Sequence, residues 1–321
     1  TKSEFHVPGQ SILGNDDKAP PVAEVVIQCD DLLISSAFVY ELDETLAHYD
    51  LRGEISRKIG YALAENYDRR IFRAIAKAAR LAHPVTGASN KSLAEPGGTQ
   101  IRVGTTDKAS NAYDSEQLVN AFYDAAAALD EKGVSGEGRV AVLSPRQYYE
   151  LIQKVDTNGL INRDERGDSL QSGNGIISIA GITIYKSMNI PFFGKFGVKY
   201  GGGDTASSPN LTSPTHIGDV TSQSMGDQNE STTPDGQKTV NDYGEEAKFD
   251  HSCGLIFQKE AVGCVEAIGP QVQTTSGDVS VVYQGDVILG RLAMGAAPLN
   301  PAAAVELVAG AAVDTGNNQS F

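Results

Sequence analysis

The residue types able to do chemistry are few and scattered. Five histidines, His6, His48, His83, His216 and His251, lie far apart in a chain of 321 residues. None falls in H-E-x-x-H or at a Cys/His ligand spacing, so no zinc site is spelled out. His48 stands beside Tyr49 and Asp50 near a helix start, where packing or capping is the expected role. Three cysteines, Cys29, Cys253 and Cys264, are odd in number and form no C-x-x-C pair. That argues against a disulfide framework and predicts small reduced thiols in the core. Neither G-x-S-x-G nor G-x-x-x-x-G-K-[ST] occurs, and Gly201-Gly202-Gly203 lacks the lysine and helix start of a phosphate loop. Carboxylates are densest over 227–246, a stretch without the regular ligand spacing of a calcium loop. Large apolar residues are sparse there, whereas catalytic groups need a rigid, partly desolvated setting. The expectation is no catalytic residue, no cofactor site and no metal site.

Charge narrows the classes further. With 26 basic against 41 acidic residues the formal net charge is −15. A protein that grips nucleic acid needs clustered Lys and Arg to neutralise phosphates, so that class is disfavoured. An acidic surface instead repels polyanions. The hydrophobic share of 40% supports a sizeable core and about two domains. No apolar run reaches the ~18–20 residues of a membrane span.

The elements that position these residues are organised around the run Glu41–Leu81. It contains no proline, and its apolar residues recur mostly every fourth position: Leu42, Leu46, Ile55, Ile59, Leu63, Tyr67, Ile71, Ile75 and Ala79. The spacing predicts a short helix over about 43–49, then, with Asp50 as N-cap, one long helix over about 51–81. At 1.5 Å per residue the second piece spans roughly 45 Å, longer than a small domain is wide. The stripe Ile59, Leu63, Ile71 and Ile75 is its expected core face. Acids gather early, and Arg69, Arg70, Arg73, Lys77 and Arg80 gather late. The cluster reads either as a solvated face complementing the macrodipole or as a surface turned toward an acidic neighbouring subunit.

Around that beam the chain alternates. Residues 1–21 read as an extended arm, since Pro20-Pro21 bars helix. VAEVVIQC and LLISSAFVY read as strands. Residues 82–112 form a connector with a short strand near Ile101–Val103. A helix capped by Ser115 and closed by Gly133 is predicted over about 115–132. A strand over 138–143 leads to a helix opened by Ser144-Pro145, and a hairpin turns on Ala180-Gly181. Residues 201–242 carry too few large apolars to form a core and read as a surface excursion. CGLIFQKEAVGCVEAIGP and DVSVVYQGDVILGRLAMG read as long strands. Thr1 opens in a polar stretch, as expected where a preceding segment is absent.

The order of these elements is similar to a known family. DDLL through AHYDLRGE at Asp30–Glu54, GLIFQKEAVG at Gly254–Gly263 and AMGAAPLNPAAA at Ala293–Ala304 resemble major capsid proteins of short-tailed phages, those of T-odd coliphages and cyanophages. The resemblance implies an α+β fold of the Hong Kong 97 coat type. Residues 1–24 would be the returning limb of an extended loop, with the N-terminal arm missing. Residues 25–116 and 251–287 would be the peripheral domain with its spine helix, and 117–250 and 288–321 the axial domain. It further implies a non-enzymatic virion subunit assembled in the host bacterial cytoplasm. That subunit would form pentamers and hexamers around double-stranded DNA, with scaffolding and portal proteins as partners and no membrane. An encapsulin-like nanocompartment shares the fold and is the alternative. An α/β enzyme with a carboxylate site at 227–246 is the more distant one.

Overall fold

The computed structural model describes residues 8–9, 23–30, 32–47, 50–85, 95–104, 109–153, 178–190, 252–275 and 278–309. Alternation in LISSAFVY produces the first strand, β1 (Leu33–Tyr40), with every second side chain exposed. The VAEVVIQC stretch forms no strand over residues 23–30. At its end the Asp30 N–H donates to the Met294 carbonyl at 2.9 Å. Two helices follow, α1 (Glu41–Leu46) and α2 (Leu51–Arg80, 30 residues). The Asp50 carboxylate accepts the Gly53 N–H at 2.9 Å, so the predicted cap opens the long helix.

Beyond α2 come β2 (Thr99–Arg102), a 3-10 turn over Ala109–Tyr113, α3 (Ser115–Glu131) and β3 (Arg139–Leu143). The N-cap of α3 is Asp114, which accepts from the Glu116 N–H, rather than Ser115 as expected. Gly133 takes φ +70 just past the helix end, as a closing glycine does. In α4 (Pro145–Gln153) the Ser144 hydroxyl accepts the Gln147 N–H while the Gln147 side chain accepts the Ser144 N–H. This is a reciprocal capping box with proline at the first turn. Strands β4 (Ser178–Ile179) and β5 (Ile182–Lys186) meet at Ala180 and Gly181, with φ values of +51 and +76. Both central residues are left-handed, as a two-residue hairpin turn of type I′ requires.

The C-terminal part supplies β6 (Ser252–Gln258), β7 (Val262–Thr274), the short helix α5 (Asp278–Tyr283), β8 (Gly285–Pro298), a 3-10 turn at Pro301–Ala303 and β9 (Ala304–Val308). The DVSVVY segment, expected to be strand, is that helix. Six apolar-rich residues carry no period long enough to separate the two states.

Two sheets result. One is three-stranded, in the order β1-β8-β7 and antiparallel throughout. The other is six-stranded, in the order β2-β9-β6-β3-β5-β4, with β2/β9 and β3/β5 parallel. A boundary at 287/288 falls inside β8, whose ladder with β1 is continuous from Gly285 to Leu292. Strand β6, expected in the peripheral part, pairs with β3 and β9 in the middle of the six-stranded sheet. Strand β2 pairs there too.

Helix α2 is the member common to both cores. Its residues Ile59, Leu63 and Ala74 pack with Val39, Ile288, Leu292 and Met294 of the three-stranded sheet. Its late residues Ile75, Ala76, Ala78 and Ala79 pack into the six-stranded sheet with α3 and α4. Ile71 packs against both groups. Contact with the smaller sheet depends on Gly290, where an added Cβ would meet Ile59 Cγ2 and come within 2.9 Å of Leu63 Cδ1.

Candidate functional site

Among the described residues no group of three His, Cys, Asp or Glu side chains could hold a metal ion. Of the histidines, only His83 is described. Its Nδ1 accepts the Val85 N–H at 3.1 Å, and burial holds its pKa below the usual value. Cys253 is a buried thiol on β6 whose pKa burial pushes up. Cys264 departs from the buried-thiol expectation: it is exposed on β7, 3.3 Å from the Tyr67 hydroxyl of α2. That contact, ahead of desolvation, raises the Tyr67 pKa well above its usual range. The 227–246 carboxylates and the 201–242 excursion lie outside the described residues.

What the described residues do contain is a series of arginines on α2, each holding a carboxylate. Arg52, in the first turn, bonds Glu44 of α1 at 2.7 Å and Asp286 of β8 at 2.7 Å. Hydrogen bonding to Glu44, the largest effect, raises the Arg52 pKa. Arg70 pairs with Asp30 at 3.2 Å, the Asp30 side chain being fully buried. Arg69 pairs with Glu65 one turn earlier. Burial lowers the Arg69 pKa and Glu65 partly restores it. At the far end, Arg80 presents Nε and Nη2 to both oxygens of Glu306 on β9, each at 2.6 Å. The Gln100 amide of β2 donates to the same carboxylate at 2.9 Å. A bidentate guanidinium–carboxylate pair fixes direction as well as distance.

The late basic cluster is thus turned largely inward in the single chain. Arg69, Arg70 and Arg73 are 5%, 5% and 1% exposed, while Lys77 and Arg80 are partly buried. Of the expected core stripe, Ile59, Leu63 and Ile75 are buried and Ile71 is partly so. Sequence reasoning overlooked the acidic partners. Glu306 is a single carboxylate inside the apolar run AAAVELVAGAAV, and an isolated acid in such a run is almost never buried unless paired. That was the available signal. Removing one partner of a buried pair costs about 3–5 kcal/mol. The cost here is smaller, because the Arg80 side chain keeps 25% exposure.

The end of α2 is fastened by backbone as well. The Gly98 N–H donates to the Leu81 carbonyl at 2.9 Å, and a Cβ at Gly98 would collide with the Ala78 and Ala79 backbone. The Lys132 ammonium, at the end of α3, donates to the Gly97 carbonyl and to the Thr99 hydroxyl. Burial lowers its pKa to about 8. These groups hold elements in place. The arrangement is mechanical: a strut of about 45 Å joined to a different sheet at each end.

The profile of the family described as "Gp10A-like: Major capsid protein" matches residues 1–224. The major capsid protein of Enterobacteria phage T3 is 23% identical over 317 residues, covering 96% of this chain and 79% of the T3 protein. The chain spans 45% of the major capsid protein of Escherichia phage T7, with 25% identity over 164 residues. Among solved structures, the capsid of cyanophage P-SCSP1u superposes with a TM-score of 0.68 at 28% identity, covering 96% of this chain and 80% of that one. The mature capsid of bacteriophage PhiM1 shares the fold, with a TM-score of 0.57 at 15% identity, 96% of this chain and 79% of that one being covered. The fold is the α+β Hong Kong 97 coat type, and neither the nanocompartment nor the enzyme alternative is favoured. The matched profile, the T3 relative and the cyanophage capsid agree with a strut between two sheets and no described catalytic cluster: the chain belongs to the Gp10A-like family of major capsid proteins, structural components of the phage particle.

Proposed function

We propose that this chain is the shell subunit of an icosahedral phage capsid, assembling with itself into pentamers and hexamers that enclose double-stranded DNA. Scaffolding and portal proteins are its assembly partners, and assembly takes place in the host bacterial cytoplasm. The three-stranded sheet with the first half of α2 is the peripheral part of the subunit. The six-stranded sheet with α3 and α4 is the axial part. The observation carrying this reading is the helix α2 shared by two hydrophobic clusters, which makes one unit of two sheets. Such a unit offers separate edges to neighbours, and repeated heterologous contacts that close make a shell. The net charge of −15 supports a wall that encloses DNA without gripping it. Lys77, partly buried toward the strut's end, is the member of the basic cluster proposed to face a neighbouring subunit. Negative-stain electron microscopy of the chain expressed with its phage's assembly proteins tests the reading. Closed shells are expected, and a subunit that stays monomeric under those conditions would refute it.

A further inference from the structure

Among the described residues the two sheets are joined in three places. The chain crosses between them at Gln258–Val262 and again at Pro298–Ala304, and these crossings are tied together. The Ala261 carbonyl accepts the N–H groups of Leu299 at 2.9 Å and Asn300 at 3.2 Å. The two adjacent crossings are thus tied to each other by backbone bonds. The third connection is α2, packed on the smaller sheet at Gly290 and on the larger one through Ile75 to Ala79. At its start Arg52 holds Asp286 of the smaller sheet. At its end Arg80 holds Glu306, whose side chain is fully buried, and Gln100 of the adjoining strand completes the set.

We propose that Arg80, Glu306 and Gln100 form a joint that sets the angle between the two sheets and, through it, the curvature of the assembled shell. Each part of the geometry bears on angle rather than on folding alone. Burial of the apolar helix face supplies attraction but little direction, since apolar contact is non-directional. A planar guanidinium bonded through two nitrogens to a carboxylate fixes orientation. Glu306 lies on β9, held on one side by β2 and on the other by β6, so the carboxylate has a rigid base. Gln100 occupies the oxygen that already receives Arg80 Nε and so limits its rotation. Because α2 spans both sheets, a small tilt at its fastened end is carried along its length to the three-stranded sheet. In a closed shell every copy repeats that tilt, so a change of a few degrees alters the radius or splits the particles into classes.

The proposal rests on the shell-subunit reading, and one experiment separates the two. The full chain, Arg80→Lys, Glu306→Gln and Gln100→Leu are each expressed with the phage's assembly proteins, and particle diameters are measured by cryo-electron microscopy. Thermal midpoints of the unassembled subunits are recorded in parallel. Wild type giving no particles would sink the shell reading itself. Given wild-type particles, Arg80→Lys, which keeps charge but loses the two-nitrogen grip, should fold and yield a shifted or broadened diameter distribution. Gln100→Leu should do the same more weakly. Variants giving particles of wild-type diameter, at whatever yield, would overturn the joint. So would failure of all three to fold, which would make the set a stability element and nothing more.

Discussion

Gly290 offers the sharpest test of how α2 lies on the three-stranded sheet. In Gly290→Ala the new methyl meets Ile59 Cγ2 and approaches Leu63 Cδ1 at 2.9 Å, so overpacking costs about 1–3 kcal/mol. Ile59 is 5% exposed, and Ile59→Ala alone costs about 2–5 kcal/mol through lost burial and the cavity left behind. Independent effects would sum to about 3–8 kcal/mol. They are not independent, because Ile59→Ala deletes the atom the alanine methyl strikes. The double variant should therefore be more stable than the sum by about 1 kcal/mol or more, within the range usual for contacting pairs. The assay is urea unfolding of the unassembled subunit followed by circular dichroism. At a slope of about 1–3 kcal/mol per molar urea, that coupling moves the midpoint by roughly 0.3–1 M from the additive value. Additivity within about 0.3 kcal/mol would mean that the helix does not lie on Gly290 as described.

Three further outcomes follow from other parts of the chain. Leu63→Asp places an unpaired carboxylate at a site 2% exposed, and loss of soluble subunit is expected in a fractionation assay; normal soluble yield would contradict the packing. Asp114→Ala should lower stability by about 0.5–2 kcal/mol in denaturant unfolding while Ser115→Ala, one residue on, costs far less. The reverse order would restore Ser115 as the cap. Lys132, whose pKa falls from 10.5 to about 8 on folding, binds less proton folded than unfolded between those values. Stability should accordingly rise as pH climbs through that window, and Lys132→Met should remove the rise; a thermal-midpoint difference between the two proteins that stays flat from pH 7 to 10 would contradict it.

The long helix was legible because seven apolar residues from Ile55 to Ala79 recur every fourth position, and no tertiary contact is needed to see that period. Asp50, Ser144-Pro145 and Ala180-Gly181 were legible for a related reason: caps and tight turns are solved within three or four residues. What eluded the sequence depends on distant partners. VAEVVIQC has strand composition but pairs with no strand among the described residues, and DVSVVY is too short for its period to decide. Which strand joins which sheet was not legible, since β6 and β7 are separated by only three residues yet belong to different sheets. The arginines were seen as a group, but their inward direction was not. Charge type does not reveal that Asp30 and Glu306 lie 40 and 226 residues away in the chain and beside them in space.

The central claim is that one helix braces two sheets in a subunit that builds a closed shell. Cryo-electron microscopy of particles formed by this chain, at a resolution that traces helices, tests it most directly. Every copy in the wall should show a straight helix of about 45 Å with the three-stranded sheet against its first half and the six-stranded sheet against its end. Particles in which that helix is broken, or in which the two sheets lie apart from it, would contradict the account.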